Sequence, residues 1–287
     1  MVFRLRKQYI AMLLCIVTAI MLTAMKVAAP PAQDDGTPEL PIIMYHHIMN
    51  KQSRLGQFII SEQQFENDLI YLKENGYQTI SMAQLLDYVN EGTPLPEKPV
   101  MLTFDDGHES FHTYAYPLLQ KYQMCAVLSI VGEYTDQYSE GDDHNPSYAY
   151  LTWDEIAEMT KSGLVEIGNH TYGLHTDDND RRGCRIKSGE SEEEYRAMLR
   201  SDLQQVQDKV KEYTGTAPVI FTYPFGHMCI QARSVIKEMG FQAAFSCEER
   251  RNKLTRDGDH DWLFDLGRYN RPSGKSSEAF FKKPLGL

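Results

Sequence analysis

Short, uninterrupted apolar runs recur along this chain, separated by segments with helical spacing. The runs are PIIMY at 41–45, PVMLTF at 99–104, and further stretches at 125–131, 164–168, 217–221 and 243–246. A strand without polar alternation is buried on both faces, as in a parallel sheet covered by helices. Between the runs, Ser61 opens a helix in which Phe65, Leu69 and Leu72 recur, and Gly76 ends it. Ser81 to Asn90 predicts a second helix closed by Gly92, the segment between Gly107 and Cys125 a third, Thr152 to Ser162 a fourth, Ser191 to Tyr213 a long fifth, and Ile230 to Met239 a sixth. Leu266 to Asn270 is a candidate last strand. This alternation predicts an α/β fold, a single (β/α) barrel of about seven strands, closed or partly open and partly irregular. No glycine-rich dinucleotide or phosphate loop is present.

In such a barrel the carboxyl ends of the strands carry the chemistry, and three of the runs end on chemically loaded residues. The run 99–104 stops at Asp105-Asp106-Gly107. Alone, Asp-Gly is an ordinary turn, but two carboxylates ending a buried strand call for a cation or hydrogen bonds. The run 164–168 leads into Asn169-His170-Thr171-Tyr172-Gly173-Leu174-His175. Two imidazoles in one loop, with one carboxylate of the Asp105-Asp106 pair, make a donor set suited to zinc with positions left open. The run 217–221 leads into Tyr223-Pro224-Phe225-Gly226, a turn able to aim a backbone N–H at a developing oxyanion.

The order and content of these pieces resemble the polysaccharide deacetylase family, the carbohydrate esterases with a NodB-type homology domain. The resemblance spans roughly Leu40 to Arg271 and is closest to the branch acting on exopolysaccharide poly-N-acetylglucosamine. Thr103-Phe104-Asp105-Asp106-Gly107 matches the family's first motif residue for residue. The resemblance implies that Asp105 is a general base, that Asp106, His170 and His175 bind a metal, and that the Phe225 amide faces the oxyanion. The metal so implied is Zn2+ or another divalent ion such as Co2+, Ni2+ or Mn2+. The wider spacing of His170 and His175 and the opening Met44-Tyr45-His46-His47 also resemble that branch. His46, His47, Tyr223, Pro224 and Arg268 are candidate substrate-binding residues. The implied activity is hydrolysis of N-acetyl groups on an extracellular or cell-wall glycan. The alternatives are O-acetyl removal by the same site, or a non-catalytic glycan-binding module that keeps the metal.

The chain departs from the family at two points. Phe221-Thr222-Tyr223 stand where an arginine normally orients the base, and no clear equivalent exists for a late general-acid histidine. Arg268 lies near that late position but does not easily give up a proton, so His46, His47, His227 and His260 are candidate acids. Asp261-Trp262 reads as a solvated acidic loop, and Arg181-Arg182 as a solvated charge pair. Tyr134, Tyr138, Tyr148 and Tyr150 are either loop anchors or platforms for sugar rings.

At the N-terminus, Arg4, Arg6 and Lys7 precede an apolar stretch from Tyr9 to Met25. Its length suits either a signal peptide or an uncleaved anchor helix with the body outside. The expected organisation is therefore 1–29 signal anchor or signal peptide, 30–40 linker and 41–287 catalytic domain, in an exported protein that is membrane-anchored or secreted. The formal net charge of −11 argues against a nucleic-acid partner. Four cysteines in the body, none with CxxC spacing, speak against a thiolate metal site and leave disulfides open.

Overall fold

The apolar runs form the strands of one parallel sheet in a computed structural model, which describes residues 37–287 apart from 179, 180 and 257. The strands are β1 (Ile42–Tyr45), β2 (Gln78–Thr79), β3 (Pro99–Phe104), β4 (Ala126–Ile130), β5 (Val165–Asn169), β6 (Ile220–Thr222), β7 (Ala243–Phe245) and β8 (Tyr269–Asn270). They pair in the order β7-β6-β5-β4-β3-β1-β8, with β2 beside the start of β3. Leu266, just before β8, also forms a parallel bridge to Phe245 of β7. The segment 266–270 thus meets both edges of the sheet, and seven strands curl into the expected barrel with an irregular seam.

The helices are α1 (Glu62–Glu74), α2 (Met82–Glu91), α3 (Tyr116–Tyr122), α4 (Gly132–Ser139), α5 (Trp153–Thr160), α6 (Glu192–Thr214), α7 (Ile230–Glu238) and α8 (Ser277–Leu285). The hydroxyls of Ser81, Thr152 and Ser191 cap α2, α5 and α6 as capping boxes. Two helices were not anticipated. The α4 sequence GEYTDQYS has no apolar stripe, and α8 contains Pro284. α8 is held by burial of Phe280 and Phe281 against the core that includes Leu69 and Leu72 of α1.

The strands read as unbroken apolar runs because both faces are covered. In β3, Val100, Leu102 and Phe104 join the core shared with α1 and α3, while Met101 joins the core shared with α2, α6 and α7. Two buried arginines belong to this framework. Arg271 forks onto Asp68 of α1 with its Nε and Nη2 at 2.7 and 2.9 Å, and Tyr45 donates to the same carboxylate at 3.1 Å.

Residues 38–287 form one compact unit. Glu39–Leu40, at the end of the expected linker, pairs antiparallel with Asn252–Lys253. The expected N-terminal membrane helix lies outside the described residues. Among the described residues no helix is long and apolar enough to cross a membrane, and Cys125, Cys184, Cys229 and Cys247 are all free thiols.

Candidate active site

The parallel register brings the loaded residues together at one end of the barrel. Tyr45 lies opposite Phe104, and the Asp105 N–H donates to the Tyr45 carbonyl at 3.1 Å, so His46 and Asp105 leave adjacent strands side by side. Ile130 lies opposite Asn169 and Asn169 opposite Phe221, which brings His170 and the turn after β6 to the same rim. A cleft of about 580 Å3 opens there, lined by His46, His47, Phe58, Asp105, Asp106, His108, His170, His175, Phe225 and Cys247, among others.

Asp106, His170 and His175 converge. The Nε2 atoms of His170 and His175 stand 3.5 and 3.2 Å from Asp106 Oδ1. His170 Nδ1 donates to the Thr222 carbonyl at 2.8 Å. A carbonyl only accepts, so Nδ1 carries the hydrogen; a protonated ring then donates from Nε2 to Asp106, which outweighs burial and raises the His170 pKa, whereas a neutral ring aims a lone pair at the anionic oxygen. Two acceptors facing each other fit a cation between them. Ligands about 2.0–2.1 Å from a tetrahedral zinc lie about 3.3–3.4 Å apart, close to the spacings here. The carbonyl behind His170 is the outer partner that metal-bound imidazoles usually have. Burial alone would push the Asp106 carboxyl up, but the imidazoles of His108, His170 and His175 outweigh it and hold it well below the usual carboxylate range.

Asp105 is built differently. It is 3% exposed, and both its oxygens accept from Arg268, from Nη1 at 2.7 Å and Nη2 at 2.8 Å. Arg268 also donates to Thr103 Oγ1 at 3.2 Å and to the Ser246 carbonyl at 3.0 Å. Burial would raise the Asp105 pKa, but the charge and hydrogen bonds of Arg268 reverse the sign and hold it below the ordinary value. Arg268, expected to bind substrate, is instead fully buried and outside the cleft lining. Arg268 thus makes, from the seam between β7 and β1, the contact with the base that the resemblance assigns to the arginine missing before the third motif.

The backbone at these strand ends is unusual. Among the described residues four non-glycine residues have positive φ, and three of them are Asp106 (73°), Thr171 (75°) and Phe225 (56°). Such conformations cost ~1–3 kcal/mol each and concentrate at functional sites. Gly107 (φ 75°) follows directly, and a Cβ there would meet Ile130 Cγ2 at 3.1 Å. The Phe225 ring is 43% exposed and packs 4.6 Å from the His175 ring.

Tyr223 and Pro224 do not reach the cleft lining, contrary to the substrate-binding expectation. Both are buried, because the turn folds them under Phe225, and Tyr223 packs edge-on against Phe221. Of the four candidate acids, His46 and His47 line the cleft, whereas His227 and His260 do not. His47 Nε2 donates to the Pro146 carbonyl at 3.0 Å, and burial first, then His108, push its pKa down to about 4. His46 keeps Nδ1 buried without a partner. His108 was missed in the sequence although it follows the first motif directly. Its Nε2 stands 3.5 Å from Asp106 Oδ2 and its ring stacks on Tyr150 at 4.7 Å. Tyr150 in turn packs on Tyr134 and Tyr138. Arg181 and Arg182 are engaged by Glu190 and Asp177, and Asp261 by Lys237 and Arg233, so none of them is a free charge.

A second cavity of about 560 Å3 lies at the opposite end of the barrel, lined by Gly163, Val165, Glu166 and Pro218 among others. Its carboxylate, Glu166, is spent on the Met82 and Ala83 amides at the start of α2.

A parallel (β/α) barrel that gathers one carboxylate and two imidazoles at the carboxyl ends of its strands, with a second carboxylate clamped beside them, defines a class of barrel proteins with a possible metal centre. Within that class the chain belongs to the polysaccharide deacetylase family, whose model matches residues 92–244. It is 29% identical over 224 residues to the poly-beta-1,6-N-acetyl-D-glucosamine N-deacetylase of Escherichia coli K12, covering 72% of this chain but 33% of that protein. The Staphylococcus aureus protein of the same name is 27% identical over 204 residues, covering 71% of this chain and 66% of the relative. The chain therefore spans about a third of the length of the first relative and two-thirds of the second. Among solved structures, a de-N-acetylase from Aggregatibacter actinomycetemcomitans superposes with a TM-score of 0.70 at 27% identity, over 83% of this chain and 97% of that one. The BpsB deacetylase domain of Bordetella bronchiseptica gives 0.66 at 26% identity, again over 83% and 97%.

Proposed function

We propose that this chain is a divalent-metal-dependent hydrolase that removes N-acetyl groups from an N-acetylglucosamine-containing polysaccharide outside the cytoplasm. Residues 41–287 are its catalytic domain, and residues 1–29 export or anchor it. The observation that carries this reading is the convergence of Asp106, His170 and His175 on one point, beside an Asp105 kept ionised by Arg268. The names of the relatives support the N-acetyl polymer as substrate.

Asp106, His170 and His175 would hold the ion, zinc or another divalent metal suited to mixed nitrogen and oxygen donors. When bound it supplies Lewis acidity, polarising the acetyl carbonyl and acidifying water. Asp105 accepts the proton of the attacking water, while Arg268 fixes which way the carboxylate points. The Phe225 N–H donates to the oxygen that gains charge in the tetrahedral intermediate. As the C–N bond breaks, His46 donates the proton that the amine needs to leave. The products are acetate and a free amino sugar. His46 is chosen over His47 because His47 commits Nε2 to Pro146 while His46 leaves Nδ1 unpartnered. Arg268 also weakens the case for a non-catalytic module, since the group that orients the base is present after all.

The test is acetate release from N-acetylated and O-acetylated polymers and oligosaccharides, before and after metal stripping, with Asp105→Asn as control. We expect metal-dependent release from the N-acetylated set, lost in Asp105→Asn. Metal-loaded protein that releases nothing from any polymer overturns the reading, and activity surviving Asp105→Asn removes Asp105 from the base role.

A further inference from the structure

A second cluster of metal-ligating side chains lies beside the loop 140–151, which packs against His47 and His108 of the cleft. We propose that Glu109, His144 and Glu155 form a second divalent-cation site of the transition-metal type, fastening the loop 140–151 to the segment after β3.

The three side chains offer one ligand atom each, all within 4.8 Å of one another. His144 Nδ1 stands 2.7 Å from Glu155 Oε1. His112 closes the group, with Nδ1 3.6 Å from Glu109 Oε1 and 3.8 Å from Glu155 Oε1. Glu109 makes this more than a surface cluster. It is 2% exposed, its Oε1 accepts from Thr113 at 3.2 Å, and its Oε2 is buried with no hydrogen-bond partner. A buried carboxylate oxygen without a partner is costly unless a cation meets it. Glu155 is pre-set for the task. Its Oε2 takes the Thr152 N–H and hydroxyl, both at 2.8 Å, as the capping box of α5, which leaves Oε1 turned to the cluster.

Charge and donor type indicate the ligand. With both carboxylates ionised and the imidazoles neutral, the forms that bind a metal, the group carries about −2, the complement of a divalent ion. Mixed nitrogen and oxygen donors suit Zn2+, Mn2+, Co2+ or Ni2+, whereas Ca2+ prefers oxygen alone. None of these residues belongs to the Asp106 cluster.

The position gives the site its consequence. Glu109 lies three residues beyond Asp106, and its N–H donates to the Ala149 carbonyl at 2.9 Å, while the Leu151 N–H donates to the Gly107 carbonyl at 2.9 Å. The same loop supplies the Pro146 carbonyl to His47 and the Tyr150 ring to His108. An ion held by Glu109 and Glu155 at its base and by His144 on the loop itself would fix the loop that contacts both histidines.

The experiment is zinc titration of the chelator-stripped full chain against a chromophoric chelator, with stoichiometry checked by elemental analysis. Wild type is expected to bind two equivalents, His170→Ala one, the exposed-loop variant His144→Ala one, and the double variant none. Hydrogen exchange of residues 140–151 in His170→Ala should slow on adding zinc, an effect absent from the double variant. A single equivalent in wild type that His170→Ala abolishes and His144→Ala leaves intact would overturn the proposal. So would two equivalents retained by His144→Ala, or exchange in the loop that ignores zinc. Glu155→Gln repeats the stoichiometry arm from the α5 side and is also expected to bind one equivalent.

Discussion

Replacing Arg268 by methionine keeps most of the buried stem and removes the guanidinium, stranding Asp105. In the native site both Asp105 oxygens accept from Arg268, at 2.7 and 2.8 Å, and the residue is 3% exposed. Removing one member of a buried ion pair costs ~3–5 kcal/mol, because the remaining charge stays buried and uncompensated. That is a large share of a usual folding stability of ~5–15 kcal/mol. At ~2–4 °C per kcal/mol for a body of this size, the melting temperature should fall by roughly 6–20 °C. The pH dependence fixes the cause. In the wild type the Asp105 pKa is depressed, so its contribution is full above the unfolded carboxylate pKa and is lost as pH falls through the lower folded value. Without Arg268, burial is opposed only by the weaker influence of His170 and His46, so the pKa rises. The variant's penalty is then present at neutral pH and shrinks in acid, where Asp105 protonates. The acid limb of kcat/KM should move to higher pH for the same reason. Chemical denaturation of metal-free protein from acid to neutral pH, with pH–rate profiles of the loaded enzyme, reads both effects. The double variant Asp105→Asn/Arg268→Met removes the stranded charge and should recover ~2 kcal/mol or more. A loss under ~1 kcal/mol, or a gap that does not change with pH, would refute the clamp.

Three further perturbations separate the proposed roles. Phe225→Gly keeps the amide and relieves a positive φ of 56°, so stability should rise by ~1 kcal/mol and kcat should stay within a few-fold; a hundredfold loss in steady-state assays would move the role from backbone to ring. His46→Gln should lower kcat on an N-acetyl substrate by roughly 10²–10⁴ but spare an aryl acetate, whose leaving group needs no proton; equal losses on both would remove His46 as the acid. Asp68→Asn strands the fully buried Arg271 and should cost ~3 kcal/mol or more of stability while KM changes little, as read by denaturation beside kinetics.

What the sequence carried and what it hid divide along chain distance. The strands, the capped helices and the residues at strand ends are local: an apolar run, a serine with glutamate or glutamine three residues on, an Asp-Asp-Gly. His108 is equally local, one residue past Gly107, but the Thr-Phe-Asp-Asp-Gly motif ends before it. Arg268 stands out in the sequence only as a substrate-binding candidate, and its contact with Asp105 could not be found that way. It lies 163 residues from Asp105, and no spacing rule connects them. Only the seam does, because Leu266 bridges β7 while Tyr269 and Asn270 pair with β1, which aims the residue between them into the barrel. Tyr223 and Pro224 fail the opposite way: they match a motif but serve the turn, not the cleft.

The strained backbone ties these levels together. Asp106, Thr171 and Phe225 each adopt a left-handed conformation within two residues of a strand end or of the turn after it. A strand that simply continued would alternate its side chains to the two faces, sending Asp105 and Asp106 to opposite sides. The left-handed step at Asp106 ends the strand instead, so one carboxylate stays on the Arg268 side while its neighbour turns to His170 and His175. Keeping both carboxylates at one cleft, one clamped and one convergent, therefore depends on the left-handed backbone at Asp106. Any residue that cannot accept positive φ at position 106 should damage the site even if it carries a carboxylate-like ligand.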